Sequence, residues 1–518
     1  MKNKLVKNTL ILSVFLLISK FLGAVYRIPL SNILGTEGIG LYQMVFPVYS
    51  LFLVFITGSM PTYVAQQVSM NYAKKKFDKI NNIVKLSLVI SILYSVFATL
   101  LLIVFSSDFA ILQGNYKSYL GYDIVALSII FSSVTCVYKG YFQGMENMVP
   151  SATCGVVEQL AKLCFGLTFA LFLKDKGQIY AVGGAFLGVL ISEIISFVYM
   201  TFIYLVKSQH TRTKTKIKYK ELKTNFLNFL PLSFSNIILP FSSCIDTFLV
   251  VNLLIYSGIN SLDATSLFGI ATGMVAPLVN FPILFFGTVA TAMIPSLTYN
   301  IATKKDINKT IEGAFFFVWL ICLPCAFGIL GTSKNILSIF FPSIENKYIN
   351  VSILYLSISS FNILWMSLIQ ISSSTLNSFG QFKLPLLSQM LGLFIKIICL
   401  VFFILFTNLN ILSLVIAITI SQFFVCVLDI IFVKKLTNFK LDDKQILIPI
   451  FASITMYLTV FYLNKFLIIN EYIKFVILLL SACIVYFSLC FIFKIITLKN
   501  IKDMFNSKKF VNNINDEQ

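Results

Sequence analysis

Charge is the scarcest component of this sequence. Only 12% of its 518 residues are Asp, Glu, Lys or Arg, about half the share in soluble domains. Hydrophobic residues make up 58%, and the mean hydropathy is +0.89. That balance excludes a soluble multidomain enzyme. There is one histidine, His210, in a basic loop, and one histidine cannot build a zinc site alone. No G-x-x-x-x-G-K-[ST], H-E-x-x-H or G-x-S-x-G motif occurs, and no clustered carboxylate pair. ATP-driven transport within the chain and hydrolytic catalysis therefore have nothing to rest on. Of the ten cysteines only Cys322 and Cys325 form a C-x-x-C, inside an apolar run and without a second pair. All ten read as small hydrophobes rather than metal or redox ligands. Neither a metal nor a cofactor is expected.

What fills the sequence is apolar runs of bilayer length, such as Leu86–Phe105 and Lys474–Phe493. A run of about 20 residues crosses the hydrocarbon core as a helix. β-Barrel strands are shorter and alternate in polarity, so a barrel is excluded. Fourteen segments can be drawn, at approximately 8–32, 41–68, 84–105, 121–143, 150–173, 180–206, 225–256, 265–299, 312–332, 349–377, 384–406, 411–433, 446–464 and 472–493. The first carries Lys20 and Arg27 and reads as a transmembrane helix, not a cleaved signal. Pro47, Pro61, Pro231, Pro240, Pro277, Pro282 and Pro295 fall in the second, seventh and eighth segments. Each removes a backbone donor, and in a membrane the freed carbonyl needs another partner.

The net charge of +19 fits basic cytoplasmic loops better than nucleic-acid binding, since no compact domain exists to do the latter. With the N-terminus inside, the inside loops hold roughly four times as many Lys and Arg as the outside loops, which predicts N-in and C-in. The chain also repeats. GLYQMVFPVYSLFLVFITGSMPTYVAQQVSMNYAKKKFDKINN from Gly40 matches SLFGIATGMVAPLVNFPILFFGTVATAMIPSLTYNIATKKDINK from Ser266, and YFQGMENMVPSA from Tyr141 matches LNSFGQFKLPLL from Leu376. The expected fold is therefore all-α and polytopic. Two pseudo-symmetric six-helix lobes, 1–206 and 225–433, are joined by a basic linker, 207–224, and followed by two extra helices in 446–493 and a tail, 494–518. Parallel halves of this kind are a transporter arrangement.

Charges inside apolar segments cost about 2.5–3.5 kcal/mol each on insertion scales and mark cavities or partners. The basic ones are Lys20, Arg27, Lys139, Lys162 and Lys396, and the acidic ones Glu158, Glu193, Asp246 and Asp429. Lys20 and Arg27, seven apart, share a helix face. With Lys139 and Lys162 they are candidates for a cationic cavity, and Arg and Lys are the natural ligands of phosphate and pyrophosphate. Snorkelling to the interface is the bland alternative for Arg27 and Lys139. Glu158 and Lys162, four apart, can pair with each other. Glu193 and Asp429 read as structural. Asp246, with no local partner, is either a cation ligand or the counter-charge of Lys396.

Three stretches carry a family resemblance: Ser19–Phe52 (SKFLGAVYRIPLSNILGTEGIGLYQMVFPVYSLF), Tyr138–Lys162 (YKGYFQGMENMVPSATCGVVEQLAK) and Ile245–Val250 (IDTFLV) with the Gly269–Pro295 helix after it. They resemble the oligosaccharide flippase branch of the multidrug/oligosaccharidyl-lipid/polysaccharide exporter superfamily, MATE-like in fold. Within it they are most similar to the stage V sporulation protein B group, kin to the MurJ-type lipid II flippases. The resemblance implies two lobes around a central cavity in the cytoplasmic membrane of a bacterium. It also implies alternating-access movement of an undecaprenyl-pyrophosphate-linked saccharide, with lipid and this anionic saccharide as partners. It places Lys20 and Arg27 in the stretch where MurJ-type members carry cavity arginines, and helices 13 and 14 where they form a groove for the lipid tail. Some members bind sodium through an acid in helix 7, the position of Asp246, together with polar or acidic residues in helices 11 and 12. Here helix 11 has Lys396 instead, so a Lys396–Asp246 ion pair is expected to replace the sodium site. A monomer is expected, with cell-wall synthesis proteins as possible associates. A cation antiporter of the same superfamily and a non-transporting assembly partner are the alternatives.

Overall fold

The structure, a computed structural model, describes residues 2–208, 219–302, 307–437, 439–440 and 442–495. His210, most of the basic linker and the tail beyond residue 495 lie outside them. All described regular elements are helical, as expected. In order they are α1 (Lys2–Thr57), α2 (Met60–Ala73), α3 (Phe77–Val104), α4 (Ser106–Leu112), a 3-10 turn (Tyr116–Ser118), α5 (Tyr119–Ala126), α6 (Ser128–Gly144), α7 (Val149–Lys174), α8 (Gln178–Lys207), α9 (Tyr219–Tyr256) and α10 (Ser261–Gly269). A π-helical turn (Ile270–Val275) leads into α11 (Ala276–Ala302). Then come α12 (Asn308–Phe340), α13 (Asn346–Ser359), α14 (Asn362–Ser378), α15 (Lys383–Phe406), α16 (Leu412–Leu436), α17 (Asp443–Phe466) and α18 (Glu471–Ile492).

Thirteen stretches of the described residues are long and apolar enough to cross a membrane. The first, Leu17–Ala73, has 57 residues, about 85 Å of helix at 1.5 Å per residue, far more than one crossing of about 30 Å. It holds the first two expected segments. α1 breaks at Gly35, whose φ of 68° and ψ of −174° are not helical. A side chain would be strained there, and glycine is not. Pro61 does not bend the second segment from within. α1 ends at Thr57, and Pro61 sits in the first turn of α2, where its missing N–H costs nothing.

The helices form two compact units. One contains residues 1–284, 341–352 and 389–418. Small residues let its backbones approach, the usual means of packing helices where no hydrophobic effect drives them together. In the α7–α8 hairpin a Cβ on Gly188 would fall 2.2 Å from the Cα of Gly166. Where α1 crosses α10, a Cβ on Gly40 would fall 2.2 Å from the Thr265 carbonyl oxygen, and one on Gly269 would fall 2.4 Å from the Gly40 nitrogen. This crossing joins the two matched repeats. Gly40→Val is expected to cost about 1–3 kcal/mol by overpacking, read as a lower unfolding midpoint of the purified protein in detergent. An unchanged midpoint would show that the crossing can open without loss.

The proline positions explain several side-chain bonds. An α-helix would pair the Gly273 carbonyl with the N–H that Pro277 lacks. Ser31 Oγ, which donates to the Arg27 carbonyl at 2.8 Å, also lies 3.3 Å from the Gly273 carbonyl, and Gln43 Nε2 donates to the neighbouring Thr272 carbonyl at 2.6 Å. The polar side chains of α1 thus satisfy the π-helical turn. The other unit contains residues 285–340, 353–388 and 419 onward. Its α12, α17 and α18 share a core of Ala452, Met456, Val460, Leu478, Ala482, Tyr486 and Cys490. There Pro324 frees the Leu320 carbonyl, and the Tyr486 hydroxyl donates to it.

Candidate functional site

In the first unit, α1, α7 and the start of α11 surround a cavity of about 280 Å³. Its lining includes Lys20, Arg27, Lys162, Pro277 and Asn280. Three of the four expected cavity cations thus come together. Lys20 and Arg27 do so because seven residues make two helical turns. Lys162 does so because α7 packs along α1. Among the described residues no carboxylate lies within ion-pair distance of any of the three.

Two of these cations rest on aromatic rings. The Arg27 guanidinium carbon lies 5.5 Å from the Phe46 ring centroid, and Lys162 Nζ lies 5.4 Å from both the Phe46 and Tyr26 centroids. Phe46 is therefore shared by two positive charges. A cation over a ring gains about 0.5–2 kcal/mol, whereas hydrogen bonds to a charged group contribute about 1.5–3 kcal/mol each. An incoming phosphate would out-compete the rings. The platform stores the charges without neutralising them. Neither Phe46 nor Tyr26 was singled out by the sequence, because in a chain with 52 phenylalanines no single aromatic ring stands out.

Lys139 is placed differently. It is not among the lining residues of this cavity. Its Nζ lies 3.3 Å from Glu158 Oε2, with both side chains about one-fifth exposed. Glu158 therefore pairs across helices α6 and α7 rather than with Lys162 one turn along its own helix. Glu193 on α8 is buried at 8% exposure, and among the described residues no cation lies within ion-pair distance of it.

Asp246 and Lys396 meet, as the second of the two expectations for Asp246 had it. Lys396 Nζ lies 2.8 Å from Asp246 Oδ1 and 3.0 Å from Oδ2, and donates to Ser242 Oγ at 2.6 Å and the Ser242 carbonyl at 3.2 Å. The ammonium occupies the carboxylate that a bound cation would need. In the other unit Asp429 is fully buried and accepts hydrogen bonds from Ser388 and Ser373. Serine donors satisfy it without a counter-ion.

This fold, a helical bundle with a basic pocket among its spans, is that of a multi-pass membrane protein. Across 93% of this chain and 98% of the other, it superposes on lipid II flippase MurJ in an inward closed conformation, with a TM-score of 0.74 at 16% identity. It superposes on an inward-facing multidrug resistance MATE family transporter of the MOP superfamily with a TM-score of 0.70 at 14% identity, over 80% of this chain and 94% of that one. The polysaccharide biosynthesis protein family matches residues 5–300, more than half the chain, and the chain belongs to that family. Two relatives come from Bacillus subtilis (strain 168). Stage V sporulation protein B is 27% identical over 59% of this chain and 60% of its own length. Lipid II flippase MurJ is 25% identical over 77% of each. The chain thus matches less than two thirds of the first relative and more than three quarters of the second.

Proposed function

We propose that the protein is a flippase, not an enzyme, and that it carries an undecaprenyl-pyrophosphate-linked saccharide across the cytoplasmic membrane by alternating access. Lipid II or a related peptidoglycan or polysaccharide precursor is the cargo this reading favours. The observation that carries it is the cluster of Lys20, Arg27 and Lys162 around one cavity, with no carboxylate partner among the described residues. An anionic head group needs a polar, basic cavity, while its hydrocarbon tail can stay in lipid. The relative named a lipid II flippase supports the same cargo class. A cationic cargo is disfavoured, since the one deeply placed acid of α9, Asp246, is taken by Lys396.

On this reading the termini face the cytoplasm, residues 1–206 and 225–433 act as the moving halves, and the helices of 446–493 hold the lipid tail. Lys20, Arg27 and Lys162 take the pyrophosphate. Lys139 is held by Glu158 and supports the site through that pair. The chain works as a monomer and requires neither a metal nor a cofactor.

The test is expression in a bacterium depleted of its own lipid II flippase, with survival and outer-leaflet lipid II as readouts. Rescue is expected. Failure to rescue by a protein shown to be folded in the membrane would remove lipid II as cargo.

A further inference from the structure

A second cavity, of about 870 Å³, lies wholly within the other unit and has no part in the reading above. Its size falls in the range of ligand pockets, roughly 300–1,000 Å³. It sits where α16 ends at Leu436 and α17 begins at Asp443. The linker between these helices is held to α12 at two points. The Phe439 ring stacks on Phe315, with centroids 4.8 Å apart and planes 20° apart, and the Lys440 N–H donates to Glu312 Oε1 at 3.0 Å. Further along α12, the Trp319 indole N–H donates to the Ile446 carbonyl at 3.1 Å, which ties α12 to the first turn of α17.

The lining is charged at the helix ends and apolar further in. Its charged side chains are Lys434, in the last turn of α16, and Lys440, in the linker. Neither has a carboxylate within ion-pair distance among the described residues. The acids close by in the fold do not line the cavity. Glu312 accepts the Lys440 N–H, and Asp429 accepts from Ser388 and Ser373. The apolar wall includes Phe315, Trp319, Leu368 and Ile430. Trp319 lies about 16 Å along α12 from Asn308, and Leu368 about 15 Å along α14 from Ser378, at 1.5 Å per residue. The wall therefore runs from two free ammonium groups at the ends of the spans to aromatic and aliphatic side chains well inside them.

We propose that this cavity binds an anionic glycerophospholipid of the surrounding membrane, its phosphate on Lys434 and Lys440 and one acyl chain along Phe315, Trp319 and Leu368. Charge complementarity selects the head group. The lining offers two cations and no acid, and a lysine holds a phosphate as a point charge. The apolar wall selects the other end of the ligand. A soluble phosphate ester would leave that wall against water, whereas an acyl chain covers it. Basic pockets between spans on the cytoplasmic side suit anionic lipid head groups, and the orientation proposed above puts these helix ends on that side. Lys20, Arg27 and Lys162 do not line this cavity, so the phospholipid has a site separate from that of the cargo. Seated here it touches α12, α14, α16 and α17 at once and holds α17 against the rest of its unit.

The experiment uses the full chain in detergent micelles and reads the fluorescence of Trp319. The chain has two tryptophans, so Trp365→Phe leaves Trp319 as the one reporter. Phosphatidylglycerol and phosphatidylcholine with the same brominated acyl chains are titrated in as quenchers. Phosphatidylglycerol should quench at a mole fraction about ten- to thirtyfold lower, the scale of two lysines near a membrane surface. Lys434→Gln with Lys440→Gln should abolish the preference, and arginine at both positions should keep it. Both lysines are exposed, so these variants are expected to fold, with the unfolding midpoint as the check. Equal quenching by the two lipids overturns the proposal, as does a preference that persists in the double glutamine variant. Two competitors decide the source of the phosphate. Release of the brominated lipid by glycerol phosphate would show a site for the anion alone, and tighter binding of undecaprenyl phosphate would show a site for the cargo tail; either overturns the phospholipid assignment. No cargo or transport enters the measurement, so its outcome is independent of the rescue test above.

Discussion

Replacing Arg27 by alanine is expected to lower flippase activity by about ten- to a hundredfold, and Lys162→Ala by a similar factor. The size follows from removing one charge-assisted contact, about 1.5–3 kcal/mol, from a site that Lys20, Arg27 and Lys162 share. Arg27→Lys should lie between alanine and wild type, because a lysine keeps the charge but loses the planar fork that fits a phosphate. Phe46→Leu should weaken transport less than either, since it removes the ring on which both cations rest and leaves the charges in place. The measurement is outer-leaflet accumulation of labelled lipid-linked cargo, normalised to the amount of protein in the membrane. A triple alanine variant at positions 20, 27 and 162 that still transports at the wild-type rate would sink the anion-site reading.

The second large effect concerns stability. Lys396→Met leaves Asp246, whose side chain is only 15% exposed, with no cation, an arrangement that costs up to about 3–5 kcal/mol. A large fall in folded yield and in the detergent unfolding midpoint is expected. Adding Asp246→Asn to the same chain should recover most of the loss, because removing both charges together is far cheaper than removing one. The two changes are in contact and must therefore be strongly non-additive. If the double variant is as unstable as the sum of the single variants, the pair is not what holds α9 and α15 together at this point. If the double variant is stable but does not transport, the pair has a role in the cycle beyond holding the helices.

Much of this protein was written in its composition and spacing. Length and hydropathy of the runs determine a polytopic helical bundle, because a bilayer accepts only helices or closed barrels and the runs are too long for barrel strands. The seven-residue spacing of Lys20 and Arg27 fixes their common face. The prolines at 277 and 324 mark carbonyls that need outside donors. The sequence could not say which donors, because Gln43 and Tyr486 lie more than one hundred and sixty residues from the carbonyls they satisfy. Pairing of the charges was also undetermined by spacing. Glu158 has Lys162 one turn away on its own helix, yet binds Lys139 across a helix boundary, since the packing of α6 against α7 decides which cation is within reach. Helical periodicity gives the face of a charge, while only the docking of one helix on another tells what that face meets. For that reason the sequence by itself determined the class of protein, its ionisable inventory and Lys396 as one candidate partner of Asp246, while the tertiary structure decided that this pair is made and that Lys162 joins Arg27 on the Phe46 ring.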